Sequence, residues 1–358
     1  MVMAARASLR WHGGHQFEEY RSSVFENPTV VILGAGASCE CGMPLGGALR
    51  DRIADGLNFR FEDDSTMKSG DDSLYELLKN HYKSNYNDAL WSGRRIAGAA
   101  KDFPSIDELL HFLRKETVAV DIGKLAIVYY ILGYENNFRK PQTGQPDFAG
   151  LSESWYAQFF SMAISGVNKE DIVKIFDNVT FINFNYDRTL ECYLYYALMR
   201  ATITADVAGH IVSMMKTIRP YGALGTTDWL TEVSVGGAQD QTIFDRVALI
   251  RTFTEAYTTE LKNRIEVALD NSKLVLCLGF GFHHQNMQLL SSTLEDRRED
   301  NGRKVFATMK DIHLENQETL RTELGLALQC APGRITILDM TAGEMLTKLR
   351  PMIMAASR

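Results

Sequence analysis

The residues of this sequence that are best suited to chemistry form a glycine turn directly after an apolar strand. The predicted strand Thr29–Leu33 runs into Gly34, Ala35 and Gly36, and Ser38 follows. Because these residues carry little or no side chain, backbone N–H groups can approach a phosphate there, and the dipole of a following helix favours the anion. The turn predicts the phosphate site of a nucleotide. The alternative is a tight strand-to-helix turn without a ligand.

Two common nucleotide motifs do not fit this turn. Cys39 stands where the dinucleotide fingerprint GxGxxG needs its third glycine, and the Gly-Lys-Ser/Thr sequence of a P-loop does not follow. A Rossmann-type oxidoreductase is also disfavoured because no acidic residue for the ribose ends a second strand. The nature of the nucleotide must therefore come from other segments.

Three further predicted strands end in segments of polar residues and glycines. These segments contain Asn185, Tyr186 and Asp187; Tyr221 and Gly222; and Gly279, Gly281, Phe282 and Asn286. Because the carboxyl ends of parallel strands meet at one edge of a sheet, we expect all four segments to surround one pocket. Two alternatives stay open: Asn185 could be a helix N-cap, and Asp187 could merely favour the first turn of a helix.

The elements that would position these segments alternate between strands and helices. This alternation predicts an α/β fold with a doubly wound, mostly parallel sheet. The predicted strands are residues 29–33, 179–184, 217–220, 273–278, 304–308 and 334–338. The predicted helices begin near residue 45, follow the second strand through residue 200, and cover residues 254–270, 316–328 and 341–350.

The sequence predicts an N-terminal extension over residues 1–28, with a helix near residues 16–25, and one α/β domain over residues 29–358. Between about residues 58 and 177, glycine becomes rarer and apolar residues recur at helical spacing. This pattern predicts a helical insertion after the first strand–helix unit. We expect it to contain a helix capped by Ser105 and Glu108, helices at residues 118–134 and 151–164, and a loop at residues 142–145.

Composition is that of a soluble globular protein. The 358 residues are 45% hydrophobic and 23% charged, and a net charge of −7 argues against generic nucleic-acid binding. We expect no membrane span, because the most apolar stretch contains Asp121 and Lys124, and no secretory signal. The five cysteines are scattered, which suits reduced thiols and a cytoplasmic location.

Together these segments resemble the sirtuin-like domain, and within it the bacterial branch that lacks deacetylase machinery. The resemblance rests on segments in the family's order, which are residues 34–38 with Gly42, Met43 and Pro44; residues 184–187; Tyr221, Gly222 and Gly225; and residues 279–282 with Asn286. It spans roughly residues 30–290, and residues 105–110 are similar to a helical segment that this branch carries.

The resemblance implies a Rossmann-like sheet that binds NAD+ and breaks the bond between nicotinamide and ribose. It implies that Asn185 positions the attacking water or a ribose hydroxyl, and that Asp187 orients it or stabilises positive charge, with Tyr221 as the third catalytic residue. The implied NAD-binding residues are Gly34, Ala35, Gly36, Ser38, Pro44, Gly279, Gly281, Phe282 and Asn286.

The chain departs from the deacetylases in three ways. It has no paired Cys-x-x-Cys, so we expect neither a zinc ribbon nor another metal site. Leu45, Gly46 and Gly47 replace the family's Asp-Phe-Arg, and Tyr221 stands where the deacetylases have histidine. A phenol with a pKa of about 10 is a poor base at neutral pH. The base therefore stays open among the three candidates His210, His283 and His284.

The bacterial proteins that this chain resembles are NAD+ hydrolases or NAD-binding effectors of antiphage defence. Stand-alone chains of this size resemble those that work with a DNA-translocating ATPase of the HerA kind. We therefore expect a cytoplasmic NAD+ hydrolase that forms a homo-oligomer, works with such an ATPase, and binds neither membranes nor nucleic acid directly. The alternative is a non-catalytic subunit that binds NAD+ or ADP-ribose, and the sequence leaves the choice between linear and cyclic product open.

Overall fold

A six-stranded parallel sheet forms the centre of the molecule, in the strand order β5-β4-β1-β6-β7-β8. The computed structural model describes residues 23–63, 66–225, 241–291, 302–310 and 313–358. The sheet strands are β1 (Thr29–Leu33), β4 (Val179–Asn183), β5 (Lys216–Ile218), β6 (Leu274–Leu278), β7 (Lys304–Thr308) and β8 (Ile335–Leu338); β2 (Arg60–Asp63) and β3 (Thr66–Ser69) pair separately as an antiparallel hairpin. The predicted α/β class and parallel sheet are confirmed.

Helices cover both faces of this sheet. The α-helices are α1 (Ala35–Cys39), α2 (Gly46–Leu57), α3 (Asp72–Tyr82), α4 (Tyr86–Ala99), α5 (Ile106–Phe112), α6 (Thr117–Phe138), α7 (Trp155–Ala163), α8 (Thr189–Arg200), α9 (Ala205–Ser213), α10 (Gln241–Val247), α11 (Phe253–Ala256), α12 (Thr259–Asn271), α13 (His284–Leu290), α14 (Leu314–Ala327), α15 (Ala342–Lys348) and α16 (Arg350–Ala356). Single turns of 3₁₀ helix lie at Lys83–Asn85, Ala100–Asp102, Lys169–Lys174 and Pro332–Arg334.

The β1 strand shows why both faces are covered. Val30 and Ile32 pack into one hydrophobic core, and Val31 and Leu33 pack into a second core on the opposite face. All five residues of the strand are buried. A strand buried on both faces reads as a continuous apolar run rather than an alternating one, which is why the sequence located it correctly.

The strand order makes the fold Rossmann-like and fixes where a ligand would bind. The chain passes from β1 to β4 and β5 on one side, and then continues from β6 through β8 on the other. The direction of winding therefore reverses between β1 and β6. Register places Leu33 of β1 opposite both Asn183 and Leu278, so the three central strands end at the same level. Ligands of open α/β sheets bind at this edge, at the reversal point.

The segment between α2 and β4 is mostly helical, as the sequence predicts, but it also contains the β2–β3 hairpin. Within it, Ser105 caps α5 by accepting a hydrogen bond from the backbone N–H of Glu108 at 3.2 Å. The hairpin was not predicted because its strands are short and polar and their register is irregular. Helix α7 is also shorter at its start than the predicted helix at 151–164.

One helix predicted as a single element is interrupted, and one further helix was not predicted. The predicted helix at residues 254–270 is divided into α11 and α12, because Thr258 caps the second helix by accepting from the backbone N–H of Leu261. The predicted helix at 341–350 corresponds to α15, and the additional helix α16 follows it after Leu349, with a proline in its first turn. Proline lacks an N–H group and therefore starts a helix more readily than it continues one. Of the helix predicted at residues 16–25, residues 16–22 lie outside the part of the chain that the structure describes.

Helix α6 is the longest helix of the described residues and is strongly apolar. By length and composition alone its 22 residues could cross a membrane, although the sequence predicts no membrane span. However, 72% of its apolar window is buried within the protein, as in the core helix of a soluble protein. Lys124 on this helix pairs with Glu255 at 2.6 Å, which compensates a charge that would otherwise be buried alone.

Candidate functional site

A cavity of about 750 Å³ lies at the carboxyl ends of the strands, at the point where the winding reverses. Its wall contains the residues that follow β1, β4, β6, β7 and β8, together with the starts of α2 and α5. This volume is within the range of small-molecule sites. Of the residues predicted from the sequence, it brings together Gly34, Ala35, Gly36, Asn185, Tyr221, Gly279, Gly281 and Asn286.

The glycines of the first and third segments pack against each other. The N–H groups of Gly34 and Gly36 donate to the carbonyls of Leu278 and Gly279 at 3.1 and 3.0 Å. A Cβ on Gly34 would lie 2.6 Å from the Gly279 oxygen, and one on Gly279, whose φ is +56°, would lie 2.0 Å from the nitrogen of Ala37. These glycines are therefore required by backbone contact between the two turns, whether or not a ligand is bound.

Backbone amides that could bind an anion lie at the start of α2, a few residues after the first glycine turn. The N–H of Ala37 already donates to the carbonyl of Gly34, so little of the first turn remains available. Helix α2 begins with Gly46 and Gly47, both in the cavity wall, and its N-cap is Leu45, whose side chain cannot accept a hydrogen bond. The first amides of a helix have no intrahelical acceptor and carry the positive end of its dipole. The start of α2 is thus better suited to a phosphate than the first glycine turn.

Asn185 is oriented by two hydrogen bonds to the first segment. Its Nδ2 donates to the carbonyl of Gly34 and to Oγ of Ser38, both at 2.9 Å. Both amide hydrogens are therefore used, and its Oδ1 accepts no hydrogen bond from any residue that the structure describes. The side chain is 9% exposed and lies in the cavity wall. The arrangement leaves one oriented acceptor in the cavity wall for a hydroxyl group or a water molecule.

Arg219 holds the backbone on either side of this asparagine. Its Nη1 donates to the carbonyls of Asn185 and Asp187 at 2.9 and 3.0 Å, and its Nη2 pairs with Glu191 at 2.6 Å. Sequence reasoning placed Arg219 next to the Tyr221 segment but gave it no function. The signal was an arginine at the end of a predicted strand, which by itself indicates nothing specific.

Tyr221 is in the cavity wall but is a hydrogen-bond donor rather than a base. Its hydroxyl donates to Oδ1 of Asn286 at 2.6 Å. Burial, followed by the negative charge of Asp107, raises the pKa of Tyr221 well above its ordinary value. The phenol therefore stays protonated at any physiological pH, and it cannot accept a proton from a nucleophile.

Asp107 is a cavity residue that sequence reasoning missed, since its segment was interpreted only as a helix cap. It is the second residue of α5, and its Oδ1 accepts a hydrogen bond from the hydroxyl of Tyr186. Burial is the largest influence on this carboxyl and raises its pKa, while the hydrogen bond from Tyr186 and the proximity of His283 act in the opposite direction. A carboxyl with a raised pKa in a cleft is a candidate functional group.

Four predicted site residues lie outside the cavity wall. Asp187 accepts from the backbone N–H of Thr189 at 3.1 Å and from its hydroxyl, at the start of α8. Asp187 thus stabilises the first turn of a helix, which is one of the alternatives that the sequence left open. Its carboxylate is hydrogen-bonded outside the cavity wall. Ser38 acts through Asn185, as described above. Pro44 lies half-buried in the connection to α2, and Phe282 is buried with its ring edge against Phe280.

The three histidines considered as bases are separated by the structure. His283, at the N-cap of α13, lies in the cavity wall. His284 is exposed and contacts the Gln288 side chain at 2.8 Å, and His210 is on α9, outside the cavity wall. Among these candidates only His283 is placed to meet a ligand there.

One further carboxylate and one lysine lie in the wall. Glu40 accepts from the backbone N–H groups of Trp155 and Gly343 at 2.8 and 3.0 Å, so it ties the first turn to the starts of α7 and α15. Burial nevertheless raises the pKa of Glu40. Lys310, two residues after β7, also lies in the wall and can pair with a phosphate group.

In the described ranges, no group of three or more His, Cys, Asp or Glu side chains is arranged to hold a metal ion. The five cysteines are free thiols; Cys192, Cys277 and Cys330 are buried, as the sequence predicts. Cys41 is half-buried, and the desolvation of its thiol raises the pKa to about 12.

Comparison of the chain with protein-family models, with curated proteins and with solved structures returns no match. The fold and the cavity define an α/β protein with a Rossmann-like sheet and a small-molecule cavity at its reversal point. What this cavity binds must therefore be inferred from its geometry and from the resemblance of its segments to the sirtuin-like domain.

Proposed function

We propose that this chain hydrolyses NAD+ at the bond between nicotinamide and ribose, producing nicotinamide and ADP-ribose. The observation that carries the proposal is Asn185. It lies at the reversal point of the sheet with both amide hydrogens fixed by the first turn, and its Oδ1 is left for a polar group of the substrate. An acceptor held in this way can position a water molecule or a ribose hydroxyl without first reorganising.

The cavity offers a distinct surface to each part of NAD+. The amides at the start of α2 and the Lys310 side chain suit the pyrophosphate. The turn at Gly279 and Gly281 suits the adenosine end, because it presents backbone with little side chain. The nicotinamide ribose would then face Asn185, between the first turn and Tyr221.

Loss of nicotinamide leaves positive charge on the ribose, so a negative or polar wall favours the transition state. Asn185 presents its carbonyl oxygen there, and Asp107 adds a carboxyl group. Groups preorganised around the charge that develops in a transition state typically contribute several kcal/mol to catalysis. Tyr221 contributes a hydrogen bond to Asn286 and keeps that amide oriented.

The biological setting that the resemblance suggests is antiphage defence. In that setting the chain would work as a cytoplasmic homo-oligomer with a DNA-translocating ATPase of the HerA kind, which would release its activity on infection. The resemblance alone supports this part of the proposal.

A second candidate is a subunit that binds NAD+ or ADP-ribose without cleaving it. The observation that favours it is the position of Asp187 and Tyr221, because the structure leaves neither of them able to accept a proton in the cavity. A binding subunit would still need the amides of α2 and the two glycine turns.

Nicotinamide release separates the two candidates. The chain, alone and with a HerA-type ATPase, is incubated with NAD+, and the products are resolved by chromatography. We expect release that is abolished by Asn185→Ala, with folding of the variant verified by thermal unfolding. NAD+ that is bound but never cleaved under either condition would establish the binding subunit instead.

A further inference from the structure

Asp107, in the cavity wall, is paired with the buried Tyr186, and this pair has no role in the binding of phosphates or in the orientation of Asn185. The two residues are 79 apart in the sequence: Asp107 is on α5, and Tyr186 follows β4. The Tyr186 hydroxyl donates to Oδ1 of Asp107. The second carboxylate oxygen of Asp107 has no side-chain partner among the residues that the structure describes.

Hydrolysis of NAD+ requires a group that takes a proton, and this inference rests on the proposed hydrolysis. The C–N bond to nicotinamide breaks, and its electron pair goes to the ring nitrogen, which neutralises the pyridinium. An oxygen of water then bonds to the ribose carbon and must lose one proton. Asn185 is a neutral amide and cannot take this proton. Tyr221 is a protonated phenol, and Asp187 is occupied at the start of α8. His283 also lies in the wall, but it is exposed and no hydrogen bond from a described residue holds its ring, whereas Tyr186 holds the carboxylate of Asp107.

The groups around Asp107 set its protonation in opposite directions. Burial raises its pKa the most; Glu108 on the same helix also raises it, and the hydrogen bond from Tyr186 and the proximity of His283 lower it. Its charge in turn raises the pKa of Tyr221. Burial, Asp107 and Glu255 hold the pKa of Tyr186 well above its ordinary value, so Tyr186 stays a donor. A base works best when its pKa approaches the operating pH, and burial moves the pKa of Asp107 in that direction.

We propose that Asp107 is the general base of the reaction: it takes the proton of the attacking water, and Tyr186 fixes the orientation of its carboxylate. One proton passes from water to Asp107 for each nicotinamide released, and it leaves to solvent through the open cavity. The roles are then divided, with Asn185 positioning the water and Asp107 accepting its proton.

The test compares Asp107→Asn with Asp102→Asn, which makes the same substitution at an exposed residue outside the cavity wall, in the 3₁₀ turn before α5. We expect Asp107→Asn to lower nicotinamide release by about 10²–10⁴-fold, the usual contribution of a general base, and to retain NAD+ binding measured by calorimetry. Asp102→Asn is expected to stay near the rate of the unsubstituted chain. Release by Asp107→Asn at the unsubstituted rate would overturn the proposal.

The pH profile of Tyr186→Phe provides a readout that a structural role would not move. A base is active when deprotonated, so the rate rises with pH through the pKa of Asp107. Loss of the Tyr186 hydroxyl removes a hydrogen bond that lowers this pKa, and the acidic limb of the profile is expected to move to higher pH. An unmoved limb contradicts the assignment. This variant also decides the question if Asp107→Asn fails to fold.

The outcome separates this inference from the proposed function. If the unsubstituted chain releases nicotinamide and Asp107→Asn does so equally, hydrolysis stands and only the assignment of the base falls. If the unsubstituted chain releases none, alone or with the ATPase, the proposed function falls, and the assignment of the base falls with it.

Discussion

Gly279→Ala is expected to destabilise the protein more than any other single methyl group added to the cavity wall. The new Cβ would lie 2.0 Å from the nitrogen of Ala37 and 2.2 Å from the carbonyl carbon of Gly36, both of which are backbone atoms that no rotamer can move. The residue also has φ +56°, where a side chain costs roughly 1–2 kcal/mol. The two turns must therefore separate.

Separation also weakens the hydrogen bonds from Gly34 and Gly36 across the turns, each of which is worth about 0.5–1.5 kcal/mol. The sum is about 2–5 kcal/mol. At roughly 3 °C per kcal/mol for a chain of this size, the midpoint of thermal unfolding should fall by about 5–15 °C.

The matched control is Gly46→Ala, which adds the same methyl group to the same cavity. A Cβ at Gly46 would meet nothing within 4 Å, and the position is the first residue of α2, where alanine is well tolerated. Differential scanning fluorimetry of both variants measures the difference directly. Equal midpoints for Gly279→Ala and Gly46→Ala would refute the reasoning that the two turns are locked by backbone contact.

Three further predictions concern the residues around the cavity. Ser38→Ala removes one of the two acceptors of the Asn185 amide, and should lower stability by about 0.5–1.5 kcal/mol in denaturant titration and slow nicotinamide release without abolishing it. Glu135→Leu leaves Arg188 buried without its carboxylate partner, and should cost about 3–5 kcal/mol in the same titration; retention of full stability would contradict it. Tyr221→Phe should retain nicotinamide release within about tenfold, since a loss of the 10²–10⁴-fold size expected for a general base would show that the phenol takes a proton after all.

The central strands could be located from the sequence because burial on both faces produces a continuous run of apolar residues. β1 and β7 begin and end at the predicted residues, and β6 differs by one residue. The β2–β3 hairpin was missed because its strands alternate weakly, with Thr66 and Lys68 exposed, and because its register shifts twice. A strand without an apolar pattern has no signature that distinguishes it from a loop.

The candidate site was predictable where it follows from topology, and not where it depends on packing between distant segments. The meeting of the Gly34, Asn185 and Gly279 segments follows from their positions after parallel strands. Asp107 could not be found in this way, since it does not follow a strand but lies on α5, in the helical segment between α2 and β4. Its neighbour Ser105 gave a clear capping signal that explained the segment completely without it.

The contacts of residue 185 require an amide side chain, because its Nδ2 must donate two hydrogen bonds while its Oδ1 remains an acceptor. Aspartate has nearly the same shape but only accepts hydrogen bonds, so it would face the carbonyl of Gly34 with no proton to donate. The two donated bonds fasten the first turn to the end of β4, and they also fix which end of the amide remains for a ligand. The same two hydrogen bonds thus stabilise the turn and orient the acceptor. A substitution at Asn185 therefore removes both effects, whereas Ser38→Ala removes one of the two hydrogen bonds and keeps Oδ1, so that its expected effects on stability and on release are partial.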